Sequence, residues 1–392
     1  MSSDIKPSER GRAWIEIDLD ALAFNIADFR SKIPDNCEIM AIVKANAYGH
    51  GAERVAKHLT GEGISTFAVA TVAEGAKLRN SVPDGDILIL GHTLPEDAGL
   101  LYENRLTQLV VDGAHAKALD STGYKLPVHI AVDTGMHRLG VEPSNFAEIE
   151  GIFNCGNLTV EGVATHLASP DSLDESDICF TKAQMDSFYA VVRKLKDKGY
   201  DTGKLHAQSS YGIYNYPQLQ CDFVRPGIML YGVHSQANDT KIKTNLKPVL
   251  SLRAVVAQVR RIKAGESVSY GRLYTADRPI MLATVGIGYA DGIPRQMTNN
   301  GGMCIVNGCR APIIGRICMD LLMLDVTEAG HVKAGDIATL IGRDGEEEIR
   351  CEEVAAAAGT ITNDILCRLA SRLPRIYLEG CPASMAHRGD AE

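Results

Sequence analysis

Five short motifs of the sequence carry groups that bind anions or exchange protons. They are VKANAYGHG with Lys44 and Tyr48, DTGMHRLG with Asp133 and Arg138, the single His166, HAQSSYG with Ser209 and Ser210, and RPGI with Arg225, Gly227 and Ile228. The hydroxyl groups of the fourth motif and the backbone N–H groups of the fifth suit a phosphate, and Gly227 lets the backbone approach it closely. A phosphate on one side and the Lys44 amine on the other indicate pyridoxal 5′-phosphate (PLP), held as a Schiff base, with Arg225 near its ring.

The elements that position these motifs alternate between strands and helices. Strands are predicted at residues 39–43, 66–70, 87–90, 108–111, 128–132, 159–165, 205–207 and 222–224, with helical patterns between most of them. Eight β–α units in about 200 residues predict a closed (β/α)8 barrel, whose active site lies at the C-terminal ends of its strands. Each motif is ordinary by itself, but the barrel would bring all five together. An open doubly wound sheet is the rival, although residues 44–51 lack its glycine-rich phosphate loop.

The chain changes character after about residue 244. Strand-like runs at 249–259, 280–285, 303–306, 321–326 and 336–341 are separated by turn residues, and helical patterns return only at 352–358 and 363–370. A short strand at 15–19 and a helix with Asp20 as its N-cap precede the barrel strands. These patterns predict a barrel domain over residues 12–243, a mostly β C-terminal domain over 244–380, and flexible termini at 1–11 and 381–392.

Composition restricts the partners and the compartment. The 392 residues include 40 Lys+Arg and 49 Asp+Glu, and a net charge of −9 argues against nucleic-acid and anionic-membrane binding. No apolar run is long enough to cross a bilayer, and the polar N-terminal stretch lacks the apolar core of a signal peptide. The 10 cysteines therefore indicate free thiols in the cytoplasm, and no metal site is predicted, since they lack zinc-ligand spacing.

Seven motifs, in order along residues 13–378, resemble those of the alanine racemase family. They are VKANAYGHG, DTGMHRLG, THLA, RPGIMLYG, SVSYGRLY, IGYADG and GRICMD. The resemblance implies a PLP barrel with a C-terminal β domain, working as a head-to-tail homodimer on a small amino acid. It also implies interconversion of L- and D-alanine, which supplies D-alanine for peptidoglycan.

The resemblance assigns a role to each matching residue. Lys44 would carry PLP and act as one base, and Tyr270 of the partner subunit would be the second base. The expected cofactor contacts are Lys44, Tyr48, Leu90, Arg138, His166, Ser209, Ser210, Arg225, Gly227 and Ile228. The expected substrate contacts are Arg138, Tyr270, Cys318, Met319, Asp320 and Ser371, with Met319 of the partner subunit acting through its backbone N–H.

The chemistry agrees with these roles. Inverting a Cα centre requires one base to remove a proton from one face and a second base to return one to the other face. Lys and Tyr can both do this when their pKa values are lowered. Arg225 would keep its own proton, so the pyridine nitrogen would stay unprotonated and the ring would withdraw electrons less strongly. That property favours a racemase over a transaminase.

The sequence departs from the family at two positions. Members often carry a carbamylated lysine seven residues before the position of Arg138, where this chain has Ala131, so chloride, Asp133 or water would have to replace that anion. Members often carry tyrosine before R-x-P-R, where this chain has Ser371, which leaves room for a hydroxyl.

Several alternatives to an alanine racemase stay open. The strings HAQSSYGIYNYP and DSLDESDICFTKAQ resemble serine/alanine racemases linked to vancomycin resistance, which carry a membrane domain in front, so serine or dual specificity is one alternative. A non-catalytic PLP-binding homeostasis protein would lack the β domain with Tyr270 and Met319. A PLP-dependent decarboxylase would show a glycine cluster for phosphate that is missing here, and a broad-spectrum racemase is typically exported.

Overall fold

The computed structural model describes residues 10–236 and 239–380, so most of the termini predicted to be flexible, residues 1–9 and 381–392, lie outside the described residues. The chain forms two compact units. One contains residues 23–230 and 239–246, and the other contains residues 10–22, 231–236 and 247–380. The domain boundaries at 12–243 and 244–380 remain predictions.

The first unit is a closed barrel of eight parallel strands, as predicted. The first strand of the chain, β1 (Ala13–Asp18), lies in the other unit. The barrel strands are β2 (Glu38–Ile42), β3 (Thr66–Val69), β4 (Asp86–Ile89), β5 (Thr107–Val110), β6 (Leu126–Ala131), β7 (Leu158–Ala164), β8 (Lys204–Ser209) and β9 (Phe223–Arg225). The ladder closes where Glu38 and Ile39 of β2 pair with Phe223 and Val224 of β9. These strands are short and mostly apolar because both of their faces are covered.

Helices connect the strands. They are α1 (Leu19–Arg30), α2 (Lys44–Tyr48), α3 (Ala52–Gly61), α4 (Val72–Arg79), α5 (Ala98–Glu103), α6 (Gly113–Asp120), α7 (Phe146–Phe153), α8 (Glu175–Asp197) and α9 (Ser210–Asn215). Side chains cap several helix starts: Thr71 accepts the N–H of Glu74 at 3.2 Å. The prediction that Asp20 caps α1 is wrong, because the Asp18 carboxylate accepts the N–H of Ala21 at 2.9 Å and Asp20 lies inside the helix.

The second unit is built on a nine-stranded sheet. Its further strands are β10 (Leu250–Ile262), β13 (Ile280–Val285), β14 (Met303–Val306), β15 (Cys309–Pro312), β16 (Leu322–Asp325), β17 (Ile337–Asp344), β18 (Glu347–Ile349) and β19 (Arg375–Leu378), while β11 (Ser267–Val268) and β12 (Tyr274–Thr275) form a separate hairpin. Strand β1 is buried between β10 and β19. The unit also contains α10 (Cys351–Ala358) and α11 (Thr362–Arg368). The prediction of a mostly β C-terminal region is confirmed.

Candidate active site

Lys44 lies directly after strand β2 and begins α2 (Lys44–Tyr48), which is a left-handed turn of the backbone and not a regular α-helix. The φ angles of Ala45, Asn46, Ala47 and Tyr48 are 51°, 56°, 56° and 50°. Left-handed backbone costs an L-residue about 1–2 kcal/mol, and only Gly and sometimes Asn adopt it routinely. Four such residues in succession are strained unless their surroundings hold them, and strain of this kind is concentrated at functional sites.

The Glu74 carboxylate on α4 holds this turn. Its Oε1 accepts the N–H of Ala45 at 2.7 Å, and its Oε2 accepts the N–H of Ala70 at 2.8 Å. Within the turn itself, the Asn46 side chain accepts the N–H of Ala52 at 3.0 Å. Glu74 therefore ties the loop after β2 to the loop after β3 and fixes the backbone that carries the lysine.

Arg225, at the end of β9, is buried. It donates from Nη2 to the carbonyl oxygens of Thr165 and Ala207 at 2.8 and 3.0 Å. It also contacts Nδ1 of His206 at 2.6 Å and Nδ1 of His166 at 3.1 Å. Burial lowers the pKa of Arg225 to about 10, which still leaves the guanidinium protonated at neutral pH. Among the described residues, none of its hydrogen-bond acceptors is a carboxylate.

The pKa of His166 shows which charged side chains act on this end of the barrel. Burial, and then the positive charges of Arg225, Arg138 and Lys44, lower the pKa of His166 to about 3. The imidazole is therefore neutral, and three cationic side chains lie close enough to act on it. No carboxylate is among the causes of that shift. Such a site attracts an anionic ligand.

The predicted phosphate segment is tightly packed. The N–H of Gly227 donates to Ser210 Oγ at 2.8 Å. A Cβ added at Gly227 would lie 2.8 Å from the Tyr48 hydroxyl oxygen, so the close approach of these two residues requires glycine. The structure therefore brings Tyr48, Ser210 and Gly227 together, although the Gly227 N–H predicted to bind phosphate is here bonded to Ser210.

The other predicted cofactor contacts also lie at strand ends. Leu90 follows β4 and is half-buried, Ser209 ends β8 and is half-buried, and Ile228 is buried at the start of a short 3-10 helix, Ile228–Tyr231.

Arg138 has an exposed side chain, and its expected anionic partner is absent from the described residues. It forms no hydrogen bond or ion pair with any of them, and Ala131 is buried at the end of β6. The Asp133 carboxylate instead accepts the N–H groups of Gly135 and His137 at 3.0 and 2.9 Å. Although burial raises the pKa of Asp133, these hydrogen bonds bring it below its usual value. Asp133 thus shapes its own loop and does not hold Arg138.

Tyr270 lies in the second unit and opens a short 3-10 helix, Tyr270–Arg272. Its side chain is 68% exposed. It lines a cleft of about 1030 Å³ together with Tyr289, Arg316 and Met319. The Arg316 guanidinium packs beside the Tyr270 loop, because a Cβ at Gly271 would lie 3.1 Å from its Nη1. The cleft therefore contains both Tyr270, the predicted base, and the cationic Arg316, to which the sequence had assigned no role.

Met319 presents both its side chain and its backbone N–H. The side chain is exposed, and the N–H makes no hydrogen bond within the described part of the chain. Its carbonyl oxygen accepts the N–H of Ala290 at 3.0 Å. The neighbouring Cys318 side chain packs against the apolar cluster around Val268, and its Sγ lies 3.5 Å from Ser269 Oγ.

An ion cluster holds the segment that carries Met319. The fully buried Asp291 accepts from Arg12 Nη2 at 3.0 Å and from Arg372 Nε at 2.7 Å. Asp320 accepts from the same two arginines, at 3.3 and 2.8 Å. The Asp320 carboxylate is therefore bound to cations, and Ser371, exposed beside Arg372, lies next to this cluster in the chain.

Sequence reasoning missed several residues of this arrangement. They are Glu74, His206, His129, whose Nδ1 lies 2.7 Å from Nε2 of His206, Asp291 and Arg316. Asp291 and Arg316 lie inside the motifs IGYADG and GRICMD, so their motifs were recognised before their roles were. Within residues 10–236 and 239–380, no group of three or more His, Cys, Asp or Glu side chains could hold a metal ion. No helix in that part of the chain is long and apolar enough to cross a membrane.

Comparison with known proteins gives the site its context. The family models "Alanine racemase, N-terminal domain" and "Alanine racemase, C-terminal domain" match residues 17–235 and 249–377. The chain is 40% identical over 369 residues to the alanine racemase of Carboxydothermus hydrogenoformans, covering 93% of this chain and 99% of that one. It is 41% identical over 378 residues to an amino-acid racemase of Enterococcus faecalis, covering 95% of this chain. The chain spans about half the length of that relative, 53%.

Solved structures show the same architecture. The alanine racemase from Bacillus anthracis with bound L-Ala-P has a TM-score of 0.88 at 33% identity, covering 94% of this chain and 95% of that one. The alanine racemase from Bartonella henselae with covalently bound pyridoxal phosphate has a TM-score of 0.83 at 31% identity, covering 94% of this chain and all of that one, 100%.

The barrel, its cation-rich strand ends and the β-rich second unit define a PLP-dependent amino-acid racemase. The chain belongs to the alanine racemase family. The match of the C-terminal family model to residues 249–377 argues against a non-catalytic barrel that binds PLP alone.

Proposed function

We propose that this chain interconverts L-alanine and D-alanine with PLP bound at the strand ends of the barrel. The observation that carries the proposal is that Arg225 contacts His166 at 3.1 Å and that the positive charges of Arg138 and Lys44 also act on His166, with no carboxylate among the charges that do so. The Carboxydothermus hydrogenoformans relative, matched over nearly its whole length, is an alanine racemase, which favours alanine over serine as the main substrate.

The residues present fit PLP. A cradle that a Cβ at Gly227 would fill lies beside the Tyr48 hydroxyl, and a protonated Arg225 lies buried without a carboxylate. Lys44 would provide the attachment amine, and the other expected contacts are Tyr48, Ser209, Ser210, Gly227 and Ile228 at the phosphate, Leu90 and His166 at the ring, Arg138 near the ring oxygen and Arg225 at the ring nitrogen. When bound, PLP withdraws electrons from the substrate and acidifies its Cα–H bond.

Two bases on opposite faces of Cα complete the reaction. Lys44 Nζ would exchange a proton with Cα on one face, and the hydroxyl oxygen of Tyr270 of the partner subunit would exchange one on the other, so that one base accepts a proton while the other donates one. Each base removes the Cα proton of one enantiomer, and in the opposite direction of the reaction it supplies the proton that forms that same enantiomer. Arg138 and the N–H of Met319 of the partner subunit bind the substrate carboxylate. The absence of a hydrogen bond to the Met319 N–H within the described residues supports that role.

The working form is a homodimer with shared sites. The exposed large side chains Tyr270, Leu273 and Met319, at 68%, 52% and 54%, lie on the second unit and support a surface covered by a partner. Cys318, Asp320 and Ser371 would lie near the substrate, with Asp320 acting through its arginines. The nine described cysteines are free thiols, which supports a cytoplasmic protein that supplies D-alanine for peptidoglycan.

Subunit mixing tests the shared site. Lys44→Ala protein should lose the visible absorbance of the bound cofactor and nearly all racemisation, and Tyr270→Phe protein should lose racemisation. Mixing the two should restore partial activity, because a heterodimer holds one intact site. No recovery despite demonstrated subunit exchange would place both bases in one chain. Racemisation of L-alanine and L-serine measured side by side on the wild type decides the substrate.

A further inference from the structure

Two buried histidines of the barrel have no part in the chemistry proposed above. His129 in β6 and His206 in β8 are 6% and 0% exposed. Nδ1 of His129 lies 2.7 Å from Nε2 of His206, and Nδ1 of His206 lies 2.6 Å from Nη1 of Arg225. The three side chains thus form one hydrogen-bonded row that ends at the arginine proposed to face the cofactor ring.

The direction of every hydrogen bond in this row follows from Arg225. A guanidinium has donors and no acceptor, so Nδ1 of His206 must accept. A neutral His206 then carries its proton on Nε2 and donates it to Nδ1 of His129, whose own proton lies on Nε2. Burial, and then the charge of Arg225, lower the pKa of His129 to about 4 and that of His206 well below its usual value. Both rings are therefore neutral, each as a single tautomer.

Of the five N–H groups of Arg225, the Nε–H and one of the two on Nη1 have no acceptor among the described residues. Nη1 is used by His206, and Nη2 by two carbonyl oxygens and His166. The Nε–H of Arg225 donates to no described residue. The orientation of this N–H depends on the acceptors that hold the other end of the guanidinium, and His206 is the acceptor of Nη1.

His129 has little freedom to move from its place. A Cβ added at Gly162 of β7 would lie 2.7 Å from both Cε1 and Nδ1 of His129. The imidazole therefore lies against the backbone of the next strand, with its Nδ1 toward His206. Glycine at 162 is what makes room for it.

We propose that His129 is a positioning residue for the racemase reaction. By accepting the Nε2–H of His206, it selects the tautomer whose Nδ1 can accept from Arg225. It thereby keeps the Arg225 Nε–H directed at the cofactor ring. The proposal rests on the proposed role of Arg225. Without an acceptor at residue 129, the Nε2–H of His206 is a buried unsatisfied donor, and the alternative tautomer of His206 cannot accept from Arg225.

Two variants of similar size separate the hydrogen bond from packing. In His129→Asn the side-chain amide oxygen lies near the position of the histidine Nδ1 and can accept the Nε2–H of His206. His129→Leu has no acceptor. We expect His129→Leu to lower kcat for alanine about tenfold or more with a smaller change in KM, and His129→Asn to restore most of it. His115→Leu, which removes another buried barrel histidine that contacts Thr93 and Val111, is the matched control and should leave kcat close to the wild-type value.

A second readout is independent of racemisation. If Arg225 is misplaced, water can protonate the ring nitrogen and strengthen electron withdrawal, so more alanine is oxidised to pyruvate while PLP is reduced to pyridoxamine phosphate. Pyruvate released per racemisation event should rise in His129→Leu and not in His129→Asn or His115→Leu. Equal kcat and equal pyruvate in the two His129 variants would overturn the proposal.

The tautomers can be measured in the wild-type holoenzyme labelled with [15N]histidine. Long-range 1H–15N correlation spectra should show His129 and His206 neutral, each protonated on Nε2, with assignments from the two His129 variants and His206→Asn. A proton on Nδ1 of His206 would refute the inference even if both His129 variants fail to fold. This measurement does not require racemisation, so failure of the proposed function and failure of the inference are distinguishable.

Discussion

Replacing Glu74 by alanine should separate activity from stability. The Glu74 carboxylate accepts two backbone N–H groups, from Ala45 and Ala70, and holds the left-handed turn that follows Lys44. Hydrogen bonds to a charged group contribute about 1.5–3 kcal/mol each, so their loss removes about 3–6 kcal/mol. Relaxation of the three left-handed residues other than Asn46, at about 1–2 kcal/mol each, returns about 3–6 kcal/mol. Because the two effects are of the same size, the free energy of unfolding should change by less than about 2 kcal/mol.

The reaction should respond far more strongly than the fold. Once the turn relaxes, the backbone of Lys44 shifts, and a misplacement of about 1 Å can cost about 100-fold in rate. Urea unfolding measures the stability change, chiral chromatography measures racemisation, and borohydride reduction followed by mass spectrometry measures attachment of PLP. Glu103→Ala, at an exposed position at the end of α5, is the control and should change none of the three.

A second substitution tests the origin of the effect. Ala45→Gly removes one strained residue, since glycine adopts positive φ without a steric penalty. Added to Glu74→Ala, it should recover part of the lost rate, because glycine lowers the cost of keeping the turn. If Glu74→Ala loses the full 3–6 kcal/mol of stability yet keeps its rate, the turn is not strained and the reasoning is refuted.

Three further predictions concern the cofactor and the substrate. Gly227→Ala should weaken PLP binding by about 1–3 kcal/mol through overlap with a tyrosine hydroxyl 2.8 Å away, whereas Gly151→Ala, with open space around it, should not; equal PLP titrations of both variants would contradict this. Because Ala131 has no amine, racemisation should be insensitive to removal of carbon dioxide and should respond to chloride, which can stand beside Arg138; a strong bicarbonate requirement would show the opposite. Ser371→Tyr should lower kcat/KM for serine more than for alanine, which corresponds to a change of roughly 1–3 kcal/mol in the difference between the two activation free energies. An unchanged ratio of the two kcat/KM values would mean that residue 371 does not touch the substrate side chain.

The barrel could be predicted from the sequence because each of its strands and helices is specified by a short continuous segment of the chain. Each strand is a short apolar run followed by a helix, and eight repeats leave few architectures open. The residues that follow the strands could be predicted for the same reason, since a parallel barrel places the C-terminal ends of all its strands at one face. The charges of Arg225, Arg138 and Lys44 all act on His166 at that face.

Contacts between residues far apart in the chain were decided by the tertiary structure. Glu74 reaches Ala45 across 29 positions, and His129 reaches His206 across 77. A hydrogen bond between distant residues produces no repeating pattern in the sequence. An isolated Glu or His is more often a solvated or structural residue than a functional one. Strand β1 likewise precedes the barrel in sequence but pairs with β10 and β19, because its partners are set by the sheet that can bury both of its faces. The sequence by itself therefore indicated which chemical groups follow the barrel strands, and the fold determined how those groups are held in place.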